Sequence, residues 1–126
     1  MKKLAWLTLS GLFMLGGCGG AGPAPAVDRS TPVSKLSDQQ RQDFCAWSTA
    51  KLGGENKEYD CNGQKFTINP VAECASSLKA VPAGCSATYG DIEDCAEAQS
   101  DDFCGGKWVT NAGCQKALAC DMVSTM

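Results

Sequence analysis

Nine cysteines and no histidine in 126 residues constrain this chain more than any other feature. So many thiols serve either metal sites or disulfides. The metal reading finds little support. No Cys-x-x-Cys occurs, and the closest pair, Cys114 and Cys120, has five residues between. No histidine is present to share a site, so neither zinc nor iron–sulfur ligation is indicated. The missing Cys-x-x-Cys also removes the usual dithiol redox signature. No metal or cofactor is expected. Disulfides remain, but an odd count leaves one cysteine for another use.

The first 18 residues indicate which. Lys2 and Lys3 form a positive start, and Leu4 to Leu15 is a mostly apolar run broken by Thr8, Ser10 and Gly11. A membrane-spanning helix needs ~20 apolar residues. This run is shorter and fits the apolar region of a signal peptide. Leu15-Gly16-Gly17-Cys18 then resembles the lipobox of bacterial lipoproteins. The resemblance implies a diacylglyceryl thioether on Cys18, cleavage after Gly17 and a third acyl chain on the new amino terminus. Each buried CH₂ adds ~0.8 kcal/mol, so three chains anchor firmly where one does not. Gly19 stands where an Asp retains such lipoproteins in the inner membrane, which implies the outer membrane.

Residues 19–36, GGAGPAPAVDRSTPVSKL, are rich in Gly, Ala, Pro and Ser and carry no apolar periodicity. They read as a flexible linker with a mean reach of ~24 Å and a limit of ~60 Å. The domain is expected from Ser37 to Cys120, with a frayed tail at 121–126.

Setting Cys18 aside leaves Cys45, Cys61, Cys74, Cys85, Cys95, Cys104, Cys114 and Cys120. An even number in an oxidising compartment suits four disulfides, in a domain too small for a large core. Eight cysteines permit 105 connectivities. Length arithmetic favours two pairs. A strand from Cys61 and a following helix return the chain to its starting level at about residue 85, which suggests Cys61–Cys85. Cys104 and Cys114 flank a Gly-rich loop and would close it. Cys45, Cys74, Cys95 and Cys120 would then tie helices together, in an order that spacing does not choose.

Local signals give a small, mainly α fold with one β-hairpin, in the order α-β-β-α-α plus a short C-terminal helix. Ser37 and Gln40 form a capping box for a helix over 38–52, stopped by Gly53-Gly54. Asn62-Gly63 favours a type I′ turn between strands 57–61 and 64–68. Asn69-Pro70 opens a helix to about residue 80, with Val71, Cys74, Ala75 and Leu78 on one face. Thr88 and Asp91 cap a helix over 89–99. Residues 100–113 read as largely irregular, and 112–119 as a last helix. The capped helix with Cys-Ala-Trp (45–47), the Cys-Asn-Gly hairpin, Cys-x-Ala-Thr (85–88) and Asp-x-Glu-x-Cys (91–95) resemble small cysteine-rich lipoproteins of deltaproteobacteria. That resemblance implies a layout and an address, and no activity.

No catalytic constellation is visible. The commonest general base is missing, no Ser-x-x-Lys occurs, and Gly105-Gly106-Lys107 lacks the rest of a phosphate loop. Carboxylates cluster at Asp91, Glu93, Asp94, Glu97, Asp101 and Asp102. Asp94, Glu97 and Asp101 share a helical face, and a solvated acidic surface accounts for them. The net charge is −3, or about −5 without Lys2 and Lys3, which argues against nucleic acid and anionic lipid headgroups. Trp47 is expected in the core. Trp108, in the loop beside Lys107 and Val109, is the candidate contact residue. The function expected is a non-enzymatic envelope module that binds a protein or cell-wall partner, anchored to the membrane by the lipid on Cys18. The alternative is a protease-inhibitor-like domain presenting the loop 101–111.

Overall fold

The computed structural model describes residues 21–121. The signal segment 1–17, the lipobox cysteine Cys18 and the tail beyond Asp121 lie outside the described residues. Among them the chain forms helices α1 (Asp38–Lys51), α2 (Val71–Lys79), α3 (Tyr89–Asp101) and α4 (Ala112–Ala119), and a hairpin of β1 (Glu58–Cys61) and β2 (Gln64–Thr67). This is the small, disulfide-rich, mainly α fold that the sequence implied.

The helix starts follow their caps. Ser37 Oγ accepts from the Gln40 N–H while Gln40 accepts from the Ser37 N–H at 2.9 Å, and Thr88 with Asp91 repeats the arrangement for α3. Asn111 caps α4 by accepting from the N–H groups of Gly113 and Cys114. The start of α2 differs from expectation. Pro70 holds the cap position without a side-chain bond, and Glu55 Oε1 accepts from the Val71 N–H at 2.8 Å. The hairpin turn matches expectation, with φ positive at Asn62 (56°) and Gly63 (88°). Cys61 pairs with Gln64 and Tyr59 with Phe66 in antiparallel register.

Two helix pairs make the body, α1 with α2 and α3 with α4, and α1 also packs on α3. Phe44 stands at the centre, fully buried, with its ring edge to face against Tyr89 at 5.8 Å and beside Trp47 at 5.9 Å. Ile92, Val33, Leu78 and Ala96 complete the core. α4 runs back along α3 so closely that a Cβ on Gly113 would lie 2.3 Å from the Asp91 carbonyl oxygen. Only glycine fits there.

The disulfides are Cys45–Cys74, Cys61–Cys104, Cys85–Cys120 and Cys95–Cys114. The first joins α1 to α2 and the last joins α3 to α4. Cys85–Cys120 pins the segment before α3 to the end of α4. The pairs Cys61–Cys85 and Cys104–Cys114 are therefore wrong, for one reason. Cys85 precedes α3 and Cys104 follows it, so a 13-residue helix, about 20 Å long, separates them. The hairpin leaves the end of α1 beside the far end of α3, where Cys104 waits with its Cα 5.1 Å from that of Cys61. Cys114 turns away from Cys104 because α4 doubles back onto α3.

The linker expectation is also corrected, for residues 21–36. Val33 and Leu36 are 0% and 3% exposed, the first residue of a 3-10 turn over Val33–Lys35 and the residue that ends it. The Val33 N–H donates to Ala87 O, the Tyr89 N–H to Thr31 O and the Gly90 N–H to Arg29 O, at 2.8–3.0 Å. Trp47 Nε1 donates to Gly22 O at 3.2 Å. A search for periodicity misses such an arm, because its two apolar anchors belong to no regular element. Its three prolines between Pro23 and Pro32 also lower the entropy lost on ordering.

Candidate functional site

The acidic cluster resolves into structural clasps. Asp91 completes the α3 cap and faces Lys116 Nζ at 3.3 Å. Burial pushes its carboxyl up, but the Thr88 N–H and hydroxyl and the Lys116 ammonium outweigh burial and hold it below the usual value. Arg29, from the arm, reaches Glu93 and Asp94, each at 2.8 Å. Glu97 meets Lys51 at 3.4 Å. Asp102 accepts from the Gly105 N–H at 2.9 Å. These carboxylates thus join the arm, α1 and α4 to α3. Among the described residues no group of three Cys, Asp or Glu is placed to hold a metal ion.

Trp108 lies elsewhere. It is half-buried in a 3-10 turn over Lys107–Thr110, and its Nε1 donates to Phe103 O at 3.1 Å. Phe103 turns inward onto the hairpin, stacked on Tyr59 at 4.5 Å and edge to face with Phe66 at 5.7 Å. The loop 101–111 is therefore folded against the hairpin and wound into the turn, rather than held out as a rigid projection.

Between hairpin and turn is a cleft of about 320 Å³, lined by Cys61, Asn62, Gln64, Phe66, Gln99, Phe103, Cys104, Gly106 and Trp108. The Cys61–Cys104 disulfide fixes the distance between its two sides. Phe66, on one wall, is 38% exposed, an uncommon position for a phenyl ring. Gln99, on α3, is 3% exposed, and its Oε1 has no hydrogen-bond partner. A buried acceptor left unpaired costs ~1–3 kcal/mol, and such a group beside a cleft points to a ligand. No charged side chain lines this cleft. Asp101, Asp102 and Lys107 line a separate shallow hollow that Trp108 also borders.

Trp108 was the residue the sequence singled out, and the structure adds Phe66, Phe103 and Gln99 around it. Phe66 was legible only as a strand residue. Gln99 had no signal at all, because a polar residue near the end of a helix reads as solvated. No helix among the described residues is long and apolar enough to cross a membrane. The chain matches no protein-family model, no curated protein and no solved structure.

Proposed function

We propose that this protein is a lipid-anchored component of the bacterial cell envelope that binds a partner through the aromatic cleft and catalyses no reaction. The address rests on Lys2-Lys3, the apolar run Leu4–Leu15 and Leu15-Gly16-Gly17-Cys18. The pairing of all eight other cysteines supports it, because that pairing belongs to an oxidising compartment and leaves Cys18 free for the lipid. Gly22 is bonded to Trp47 only four residues after Cys18. Four residues span at most about 14 Å, so the domain rides close to the bilayer rather than at the end of a long tether.

One observation carries the binding role. The apolar and aromatic groups exposed around Trp108 surround a cleft lined by Gln99, whose buried amide oxygen is unpaired, while Asp91, Glu93, Asp94 and Glu97 of α3 are engaged in caps and ion pairs. The inhibitor-like alternative gains no support from a loop folded inward at Phe103.

Two measurements test this reading. Intact mass of the protein extracted from membranes should show cleavage after Gly17, three acyl chains on Cys18 and the loss of eight thiol hydrogens. An uncleaved or unacylated chain would remove the anchor. The lipid-free domain should co-sediment with purified envelope fragments, and Trp108→Ala should weaken that by ten-fold or more. Equal sedimentation of both proteins would move the binding surface away from the cleft.

A further inference from the structure

We propose that the cleft receives one ring of an uncharged sugar. This deepens the reading above and rests on the cleft being the binding surface. A sugar ring presents two kinds of surface. Its hydroxyls each donate and accept, and its flat C–H faces pack on the electron-rich faces of aromatic rings. The cleft offers a partner for each. Phe66, Phe103 and Trp108 supply the aromatic surface. Asn62, Gln64 and Gln99 supply three primary amides, each with donors and an acceptor.

Other ligand classes fit less well. A phosphate, carboxylate or ammonium group would shed water in a cleft whose lining carries no opposite charge. A purely apolar guest would leave Gln99 Oε1 as unpaired as it is now. The Gln99 oxygen is buried as the cleft stands, so a sugar hydroxyl reaches it through rotation of the amide about the last side-chain torsion. A volume of about 320 Å³ is at the small end for ligand pockets and suits one ring rather than a chain of them. The exposed Asn62-Gly63 turn at the rim leaves room for the rest of a glycan.

The test is a titration of the intact, disulfide-bonded, ¹⁵N-labelled protein, followed at the Trp108 indole and at the side-chain amides of Asn62, Gln64 and Gln99. The probes are glucose, N-acetylglucosamine, the β-1,4-linked trimer of N-acetylglucosamine, and glucuronate as the charged counterpart. At least one neutral sugar should shift all four groups with a millimolar Kd, the affinity expected for a single ring, and glucuronate should bind at least ten-fold more weakly. Gln99→Leu keeps the shape and removes the unpaired oxygen. It should keep or raise the thermal midpoint and weaken sugar binding ten-fold or more, a combination that a merely structural glutamine would not give. Lys107→Ala, in the neighbouring hollow, should bind as the parent does. Silence of the cleft groups toward every neutral sugar, equal binding by Gln99→Leu, or equal binding of glucuronate would each overturn the proposal. If the protein still co-sediments with envelope fragments in a Trp108-dependent way while no sugar binds, the ligand class is wrong and the surface stands. If both fail, both readings fall.

Discussion

Replacing Leu36 by alanine separates an ordered arm from a tether most sharply. Leu36 is 3% exposed and packs in the same core as Val33, Phe44 and Tyr89. Its carbonyl also accepts from the Arg41 guanidinium, which ties it to the first turn of α1. Removing a fully buried leucine side chain loses its transfer free energy and leaves a cavity, together ~2–5 kcal/mol. For a domain of about 100 residues each kcal/mol moves the thermal midpoint by ~4–8 °C. Leu36→Ala should therefore melt roughly 8–40 °C below the parent. Lys35→Ala is the matched control, since Lys35 is exposed one residue earlier, and a surface change there should stay within about 0.5 kcal/mol. Circular dichroism melts with the disulfides intact supply the reading. Amide exchange adds a second one, because the Val33 and Tyr89 N–H groups are bonded across the arm and should lose protection together in Leu36→Ala. Equal melting of Leu36→Ala and Lys35→Ala would refute the docked arm and restore a free linker through residue 36.

Gly113→Ala places a methyl 2.3 Å from the Asp91 carbonyl oxygen, so α4 must lift from α3 at a cost of ~1–3 kcal/mol or more; a variant as stable as the parent in guanidinium unfolding would show that the helices are not so close. Burial, with Glu93 nearby, pushes the Tyr89 phenol up to about 12. A raised acid adds stability below its ordinary value of about 10 that is lost as pH rises through about 12, so in Tyr59→Phe the one remaining tyrosine should ionise near pH 12, together with unfolding; ionisation near 10 without unfolding would contradict its burial. Asp91 is held below its ordinary value by the Thr88 and Lys116 contacts that outweigh its burial. A depressed acid adds stability above its ordinary value, 3.8, that disappears as pH falls through the folded value. Acid should thus destabilise the parent more than Asp91→Asn below about pH 4, and equal acid sensitivity would remove Asp91 from the cap.

Local structure was legible where a residue carries its reason in its own chemistry. Ser37 with Gln40, Thr88 with Asp91 and Asn62-Gly63 each name a backbone geometry, and each stands where it was expected. The core positions Phe44, Trp47, Ile92 and Leu78 followed from helical spacing. What failed depended on where elements lie relative to one another. The pairing of Cys61 was misread because the direction of the hairpin from the end of α1 is set by tertiary contacts such as Tyr59 Oη donating to Leu52 O, and chain length does not encode that direction. The arm was misread because Val33 and Leu36 are single anchors, and the arm's backbone partners lie more than 50 residues away, Val33 bonding to Ala87 and Thr31 to Tyr89. Trp108 draws attention in the sequence because a large aromatic in a polar loop stands out. Gln99 was missed because its meaning comes only from the cleft beside it.

The Cys61–Cys104 disulfide holds the hairpin against the turn that carries Trp108 and so builds the cleft. Peptide mapping of the native protein without reduction tests it most directly. Cleavage after Lys, Arg and Glu places all eight domain cysteines on separate fragments. One linked pair should be made of residues 59–65 and 98–107, beside links for Cys45–Cys74, Cys85–Cys120 and Cys95–Cys114. Recovery of 59–65 joined to the Cys85 fragment, or of Cys104 joined to Cys114, would contradict it and dissolve the cleft with it.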